Sequence, residues 1–459
     1  MGEPFDLTGK KALVVGLGDT GLSCARWLAK HGAELRGADS RSAPPHAERL
    51  RAEHPEIPLT LGRFDPADFA WAEMIVLSPG VPLATPEVAA ARTVGKDIVG
   101  DVELFSRALH GRGRVLAVTG SNGKSTVVSL TGHLCETAGK RTVVAGNIGL
   151  PVLEALGAAE ANGDWPEVWV LELSSFQLET TASLRADAAT VLNISQDHLD
   201  RYAGLEDYAA AKTRIFSGEN CIQVLNRDDP WVMKMILPGH ALWTFGLNTA
   251  FEAGQWGLTE QDGQAWLAEG STALLPVAEL PIPGLHNAAN ALASLALCRA
   301  IGLAYDDLLT GLRSFKGLPH RVEWVAEVGG VRYYDDSKGT NVGATLAAIT
   351  GFDRPVVLIA GGDGKGQDFS PLRQGMNHAR AVVLIGRDAP AIEAALAGTA
   401  PLQRAADMDD AVRQAAEMAR PGDAVLLSPA CASFDMFRDY KHRAELFVKA
   451  VQSLGGHVS

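Results

Sequence analysis

The segment of this sequence best equipped for chemistry is a glycine-rich loop that leads into a lysine and two hydroxyl residues. It reads Thr119, Gly120, Ser121, Asn122, Gly123, Lys124, Ser125 and Thr126, and it lies between an apolar run and a predicted helix. In such a loop the backbone N–H groups surround phosphates, the lysine neutralises them and the first hydroxyl holds Mg²⁺. Val118 stands where the usual motif has its first glycine, so this phosphate loop is a shortened variant. We predict that residues 119–126 bind ATP.

Two ionisable residues downstream are candidate ligands for the metal that accompanies ATP. Glu172 lies near the end of the apolar run 168–173, and His198 follows the run 189–194. Because the carboxyl ends of parallel strands share one edge of a sheet, both side chains should face the phosphate loop. A buried carboxylate without a partner is strongly destabilising, which favours a cation beside Glu172. A salt bridge at Glu172 and a structural role for His198 are the alternatives, and the spacing of Lys212 alone is typical of a solvated helix lysine.

A second glycine motif, Gly16-Leu-Gly18-Asp-Thr-Gly21, follows a predicted strand near the N-terminus and opens a predicted helix. Its glycines permit a tight turn and a close backbone approach, and the helix N-terminus favours an anion. Asp39 follows 18 residues after Gly21. The motif predicts a nucleotide diphosphate ligand but does not distinguish NAD from others, and a turn required only for packing is the alternative.

Four polar loops in the last third of the chain follow predicted strands or linkers. They cover residues 319–321 (PHR), 335–341 (DDSKGTN), 361–366 (GGDGKG) and 428–435 (SPACASFD). Lysines and hydroxyls at strand ends suit a carboxylate substrate and a phosphoryl group. The same residue types also cap helices, which is the alternative for any one loop. Four such loops in one segment favour an anion-binding cleft.

The elements that must position these loops alternate between strand and helix, which predicts parallel sheets. Predicted strands cover residues 11–18, 34–38, 74–77, 114–120, 168–173, 189–194, 331–334, 356–360, 381–385 and 424–427, and predicted helices include 125–138 and 287–300. We predict an α/β protein of three domains, each built on a mostly parallel sheet. They are a Rossmann-like N-terminal domain (1–104), a central P-loop ATPase domain (105–317) and a Rossmann-like C-terminal domain (318–459).

Composition agrees with a protein of about three domains, because 459 residues exceed one ordinary core. The net charge of −13 argues against a nucleic-acid-binding face. The five cysteines are scattered without a CxxC pair, which indicates free thiols in a reducing compartment. The N-terminus has no signal-peptide pattern, and the most apolar long stretch, 287–304, includes Asn290 and Arg299. We therefore expect a cytoplasmic protein that neither enters a membrane nor binds nucleic acid.

Eight motifs, in order along nearly the whole chain, resemble those of the Mur ligase family. They are TGSNGKST, LELSSFQLETT, LNISQDHLDRY, GLHNAANALA, GLPHRVE, DDSKGTN, GGDGKGQDF and LLSPACASFD. LELSSFQLETT is the most specific and points to members that add D-glutamate to UDP-N-acetylmuramoyl-L-alanine, whereas the phosphate loop alone would also allow folylpolyglutamate synthases. The resemblance implies an ATP-dependent amide ligase of peptidoglycan synthesis that forms an acyl phosphate, requires ATP and two Mg²⁺ ions, and acts as a monomer.

The resemblance also implies a role for individual residues. It places Gly18, Asp19, Thr20 and Gly21 at the diphosphate of the UDP substrate, Asp39, Ser40, Arg41 and Ser78 near its uracil, and Asn147 at the muramoyl group. It assigns ATP to residues 119–126 with His286, Asn287, Asn290, Arg321 and Asp336, and metal to Ser125, Glu172, His198 and a carbamylated Lys212. It assigns glutamate to Lys338, Thr340, Lys365, Ser433 and Phe434, and catalysis to Lys124, His198, Lys212 and Lys338. Gly339 and Tyr440 depart from the family pattern, which has Ala and Phe there.

Three other interpretations stay open from the sequence. One is a related ligase with another amino acid or acceptor, and another is an NAD-linked oxidoreductase that uses residues 16–21. The third is a nucleotide-dependent binding module without covalent chemistry. For the ligase we expect the third domain to close over ATP, because an acyl phosphate must be shielded from water.

Overall fold

The computed structural model describes residues 5–197, 201–282 and 284–455. Three sheets follow one another along the chain, with five, nine and six strands. Helices alternate with most of the strands, and the hydrophobic cores lie between helices and sheets. This architecture confirms the predicted α/β class with three mostly parallel sheets.

The first sheet is entirely parallel, with strand order β3-β2-β1-β4-β5. Its central strands are short apolar runs with both faces covered, as a parallel sheet between helices requires. The elements are β1 (Lys11–Val15), α1 (Asp19–Lys30), β2 (Glu34–Asp39), α2 (Ala47–Glu53), β3 (Leu59–Leu61), α3 (Pro66–Trp71), β4 (Met74–Leu77), α4 (Pro86–Thr93), β5 (Asp97–Val99) and α5 (Asp101–Leu109).

The second sheet is the largest, with strand order β14-β13-β12-β11-β10-β9-β6-β8-β7. Its first part comprises β6 (Arg114–Thr119), α6 (Lys124–Thr137), β7 (Thr142–Gly146), α7 (Val152–Asn162), β8 (Val168–Glu172), α8 (Ser175–Glu179), β9 (Ala188–Val191), α9 (Leu205–Thr213), β10 (Ile222–Asn226) and α10 (Pro230–Met233). Then follow β11 (Leu242–Phe245), β12 (Gln255–Gln261), β13 (Gln264–Glu269), β14 (Thr272–Pro276), α11 (Leu285–Ala300) and α12 (Tyr305–Ser314). Two strands beside β6 therefore bring their carboxyl ends to the phosphate loop.

The third sheet has strand order β15-β16-β20-β17-β18-β19, and only β15 runs antiparallel to its neighbour. Its elements are β15 (Glu323–Val328), β16 (Val331–Asp335), α13 (Val342–Thr350), β17 (Val356–Gly361), β18 (Ala379–Ile385), α14 (Ala389–Leu396), β19 (Leu402–Arg404), α15 (Met408–Met418), β20 (Ala424–Leu427) and α16 (Tyr440–Ser453). The polar loops 335–341 and 428–435 thus follow two neighbouring parallel strands, β16 and β20.

The predicted strands lie where the apolar runs indicated, but ten strands were not predicted: β3, β5, β7, β10, β11, β19, the meander β12–β14, and β15. Strands β12 and β13 carry polar residues throughout, with only part of each strand buried, so they lack the uninterrupted apolar run of a covered strand. Together with β14 they form an antiparallel meander at one end of the second sheet. Edge strands of this kind depend on neighbouring strands more than on their own sequence.

The structure bears on two expectations, that the cysteines are free and that the chain does not enter a membrane. All five cysteines are free and buried. Across the described ranges, every helix is too short or too polar to cross a bilayer.

Candidate active site

A cavity of about 910 Å³ lies between the second and third sheets. It collects residues from loops that follow β6, β7, β8, β9 and β16, together with the start of α11 and of α16. Predicted site residues among its lining are Ser121, Asn122, Gly123, Lys124, Ser125, Thr126, Asn147, Glu172, His286, Asn287, Asn290, Arg321, Asp336, Lys338 and Thr340. The tertiary structure therefore brings together segments from two thirds of the chain.

The phosphate loop joins β6 directly to α6, as the sequence predicted. Lys124 is the first residue of the helix, and its Nζ donates hydrogen bonds of 2.8 Å to the carbonyls of Gly120 and Ser121. Gly123 has a φ of 83°, and a Cβ there would lie 2.9 Å from Asn290 Oδ1. Burial lowers the pKa of Lys124, although the nearby Glu172 carboxylate opposes that shift. The loop thus presents a helix N-terminus and a cation to the cavity, which suits a polyphosphate.

Glu172 is the last residue of β8 and is 2% exposed. Its Oε1 accepts a 2.9 Å hydrogen bond from Asn147 Nδ2. Its Oε2 is buried and has no hydrogen-bond partner among the residues that the structure describes. Because an unpaired buried carboxylate oxygen is destabilising, this donor atom fits a Mg²⁺ ion, which prefers oxygen ligands.

The third sheet's loops reach the phosphate loop directly. Arg321 Nη2 donates a 2.8 Å hydrogen bond to Ser125 Oγ, and Asn341 Nδ2 donates a 2.9 Å bond to Asn122 Oδ1. The residues on either side of Arg321 have positive φ values, 63° at His320 and 50° at Val322. Loops of the second and third sheets are thus in contact across the cavity.

Asp336 and Lys338 follow β16 and face the cavity. Burial raises the pKa of Asp336 to about 7, while a hydrogen bond from Ser428 Oγ (2.7 Å) and the Arg321 charge favour its ionised form. Burial lowers the pKa of Lys338, whose Nζ lies 4.0 Å from the ring centroid of Tyr440. Asp336 can therefore change charge near neutral pH when an ionic ligand enters.

The first turns of α11 form the wall next to Gly123. Asn290 Nδ2 donates a 3.1 Å hydrogen bond to Asn287 Oδ1. Burial lowers the pKa of His286 to about 4, so its imidazole is neutral at neutral pH. This wall is polar but uncharged, which suits a nucleobase more than a phosphate.

Lys212 lies behind the phosphate loop and is not the solvated lysine that its spacing alone suggested. It is 1% exposed, and its Nζ donates to Thr119 Oγ1 (3.1 Å) and to the Gly120 carbonyl (3.0 Å). Burial, together with the charge of Lys124, lowers the pKa of Lys212 well below its usual value. The spacing was misleading because α9 packs against the loop and leaves no exposed face at this position.

His198 lies outside the described residues, so its predicted metal contact stays a prediction. Its neighbour Asp197 is described and lines the cavity. Asn193, in the same motif, was not predicted as a site residue, yet its Oδ1 accepts a 2.8 Å hydrogen bond from the Asn122 backbone. Its place after β9 in LNISQDH could have signalled this contact.

The N-terminal glycine loop (residues 16–21) lies apart from the cavity lining. Ser78 Oγ donates a 2.7 Å hydrogen bond to the Gly16 carbonyl, and Asp39 Oδ2 accepts one of 2.7 Å from Leu17 N. The Asp39 carboxylate also accepts from the Arg41 guanidinium, whose bonds help to hold the pKa of Asp39 low against the opposing effect of burial. Gly18, Asp19, Thr20, Gly21, Asp39, Ser40, Arg41 and Ser78 all lie in the segment that forms the first sheet, whereas Asn147 follows β7 of the second sheet; their binding roles stay predictions.

Three predicted acceptor residues do not line the cavity: Lys365, Ser433 and Phe434. Their loops meet each other through backbone hydrogen bonds between Asp363 and Ala432 (3.0 and 2.9 Å). Phe434 is 71% exposed. Lys338 and Thr340, on the neighbouring loop, do line the cavity, together with Tyr440 and Lys441, which the sequence did not single out as site residues.

Family models match this chain in three consecutive parts. The Mur ligase MurD-like N-terminal domain matches residues 10–100, the Mur ligase middle domain matches 118–298, and the Mur ligase glutamate ligase domain matches 320–431. Among relatives, a UDP-N-acetylmuramoylalanine–D-glutamate ligase from Thiobacillus denitrificans is 58% identical and covers 98% of each chain. One of the same name from Methylobacillus flagellatus is also 58% identical, again over 98% of each chain.

Solved structures of related ligases share the fold at low sequence identity. MurF from Acinetobacter baumannii superposes with a TM-score of 0.61 at 17% identity, covering 98% of this chain and 92% of its own. UDP-N-acetylmuramate-alanine ligase MurC from Thermotoga maritima gives 0.59 at 19% identity, covering 97% and 99%. Since the three models span most of the sequence and the relatives match it at well over half identity, the chain belongs to the Mur ligase family.

Proposed function

We propose that this protein joins D-glutamate to UDP-N-acetylmuramoyl-L-alanine in an ATP-dependent reaction of peptidoglycan precursor synthesis. The carboxylate of the muramoyl-L-alanine substrate attacks the γ-phosphate of ATP and releases ADP. The glutamate amine then attacks the acyl phosphate, displaces inorganic phosphate and loses a proton as the amide forms. Relatives that carry this activity in their names are 58% identical over almost the whole chain. Buried free cysteines are consistent with a cytoplasmic location.

The observation that carries this proposal is the convergence of three charged groups on one cavity. Lys124 comes from the phosphate loop, Glu172 from the neighbouring strand, and Arg321 from the third domain. Such a set suits a triphosphate that must transfer a phosphoryl group while shielded from water.

The chain's own residues orient the phosphates. Lys124 exchanges the loop carbonyls for phosphate oxygens, and Arg321 adds a second cation from the opposite wall. Ser125 Oγ, Glu172 Oε2 and His198 are the groups that would hold Mg²⁺. When bound, Mg²⁺ neutralises the charge that develops on the transferred phosphoryl group. Arg321 must release Ser125 for that hydroxyl to serve a metal.

Lys212 is suited to carbamylation, the modification that would make it an anionic metal ligand. Burial and the charge of Lys124 lower the pKa of Lys212, which favours the uncharged amine, the form that attacks carbon dioxide. Its hydrogen bonds go to neutral groups of the loop, Thr119 Oγ1 and the Gly120 carbonyl. The carbamate oxygen on Lys212 could then serve as a ligand for a second Mg²⁺, where the unmodified side chain would be a cation.

The glutamate site would lie at the carboxyl edge of the third sheet. Lys338 and Thr340 are at the cavity, and Lys365, Ser433 and Phe434 are on the adjacent loops. Lys338 would fix a carboxylate and so orient the amine, an effect of positioning more than of acid–base chemistry. The UDP substrate would lie along the N-terminal glycine loop, with Asn147 at the muramoyl group. We retain the domain limits 1–104, 105–317 and 318–459, and a monomer.

Phosphate release tests the proposal. The protein, ATP, Mg²⁺ and UDP-N-acetylmuramoyl-L-alanine are combined with D-glutamate, L-glutamate or a panel of other amino acids. We expect phosphate only with D-glutamate, in step with the amide product. Release with another amino acid would indicate a related ligase, and ATP binding without phosphate release would indicate a binding module.

A further inference from the structure

Arg443 of α16 is an arginine whose guanidinium is completely buried, with 0% exposure. Burial lowers its pKa to about 10, so it remains charged at neutral pH. Its hydrogen-bond acceptors are two backbone carbonyls, and its Nε has no partner among the described residues. Its direct acceptors are thus neutral, and the nearby carboxylates of Asp335, Asp435 and Asp336 only partly offset the desolvation that lowers its pKa, so this buried cation is a poor way to stabilise a fold.

The two carbonyls belong to the two loops that follow β16 and β20. Arg443 Nη2 donates a 2.8 Å hydrogen bond to Ser337 O, and Nη1 donates a 3.1 Å bond to Cys431 O. Ser337 directly precedes Lys338, and Cys431 lies two residues before Ser433. The planar guanidinium therefore fixes the distance between the two loops.

The helix that carries Arg443 also approaches Lys338 from the other side. Tyr440 and Lys441, in the first turn of α16, line the cavity. The Tyr440 ring lies 4.0 Å from Lys338 Nζ. Arg443 thus anchors both the loop that carries Lys338 and the helix whose aromatic ring contacts its ammonium group.

We propose that Arg443 is a positioning residue for the acceptor amino acid, an inference that rests on the proposed function. It holds the loop of Lys338 and Thr340 at a set separation from the loop of Ser433 and Phe434. A dicarboxylic amino acid that spans both loops needs that separation to be constant, since small displacements of binding groups strongly weaken orientation. Arg443 itself contacts no substrate, because it is fully buried.

The test compares Arg443→Lys and Arg443→Met with the wild-type enzyme in the full reaction. Lysine keeps the charge but cannot span both carbonyls in a plane, and methionine removes the charge. We expect the KM for glutamate to rise about tenfold in Arg443→Lys, the effect of losing one hydrogen bond from a charged group. In Arg443→Met, which loses both hydrogen bonds, the KM should rise further. The KM for the UDP substrate should change less than about twofold, because its proposed site lies on another domain.

Arg380→Met provides the matched control. Arg380 makes a two-pronged ion pair with the nearly buried Asp423, in the same domain but at the start of β18 and β20, the opposite edge of the sheet. We expect it to lower the melting temperature without changing the KM for glutamate. If Arg443→Lys folds and its glutamate KM is unchanged, or if Arg380→Met raises that KM equally, the positioning role is wrong. Failure of the proposed function is a separate outcome, since wild-type enzyme would then release no phosphate with glutamate.

Discussion

The phosphate loop and the N-terminal glycine loop are both turns between a strand and a helix at the carboxyl edge of a parallel sheet, yet they are completed differently. In the N-terminal loop the polar groups are satisfied within the domain: Ser78 bonds Gly16 and Asp39 bonds Leu17. A Cβ at Gly21 would lie 1.9 Å from the Gly16 carbonyl, so packing alone requires that glycine.

The polar groups of the phosphate loop, in contrast, are not all satisfied within their own domain. Lys124 bonds only the loop's own carbonyls, Glu172 retains a buried oxygen without a partner in the described chain, and Arg321 arrives from another domain. A glycine motif therefore does not separate a binding turn from a reaction centre. What distinguishes the two is a set of buried charged groups, one of which keeps an oxygen without a hydrogen-bond partner in the described chain.

The largest effect should come from Lys124→Met. It removes the cation that would neutralise the transferred phosphoryl group, and we expect turnover to fall by about a thousandfold. Binding of the UDP substrate should be unchanged, because its proposed site is the self-contained loop. Isotope exchange between ADP and ATP, with calorimetry of UDP-substrate binding, measures both effects. Simultaneous loss of both would mean that the two loops are one site; Lys338→Ala, a control on the third domain, should also leave UDP-substrate binding intact.

A smaller effect is expected for Glu172→Gln, which removes the carboxylate charge but preserves the shape of the side chain. Activity should fall by about a hundredfold and demand more Mg²⁺, while the protein melts at the same or a higher temperature. Titration of activity with Mg²⁺ and thermal unfolding without ligands give the two readouts. A large drop in the melting temperature would show that Glu172 is structural, and the comparison between the loops would lose its basis.

Gly21→Ala changes the N-terminal glycine loop and should affect turnover less than Lys124→Met or Glu172→Gln does. The added methyl group meets the Gly16 carbonyl, so we expect a loss of about 2 kcal/mol in unfolding free energy. The KM for the UDP substrate should rise while ATP affinity stays constant. Gly80→Ala, in the same domain, is the control: its φ, like that of Gly21, is not positive, and its Cβ would meet nothing within 4 Å. An unchanged UDP-substrate KM in folded Gly21→Ala would contradict the proposed binding role of this loop.

The smallest effect concerns His320, in the turn that presents Arg321 to the phosphate loop. The N-terminal loop has no such contact from another domain in the described chain. A 2.7 Å hydrogen bond to Asp335 raises the pKa of His320. The stability from this pair is complete below about pH 6.5, the unfolded pKa, and is lost as the pH rises through the higher folded value. Wild type should therefore exceed His320→Gln by a few degrees in melting temperature at pH 6, and by less at pH 9. An equal difference at both pH values would exclude the ion pair.

Local sequence predicted the units of this fold well. Residues 74–77 and 424–427 are strands with the predicted limits, and α6 begins at Lys124, one residue before the predicted start. These elements were predictable because apolar runs, glycine turns and polar strand ends are short-range patterns. Ten of the twenty strands were not predicted, among them the meander β12–β14, whose stability comes from cross-strand partners rather than from an apolar run.

The sequence by itself determined the family, the α/β class and the chemical type of the phosphate loop, because those properties reside in contiguous residues. The tertiary structure alone decided that Arg321 bonds Ser125, 196 positions away, and that Lys212 is buried against Thr119, 93 positions away. It also decided which carboxylate oxygen of Glu172 is left without a partner in the described chain. Such contacts depend on which element packs beside which, and burial in turn sets the pKa values that the chemistry requires.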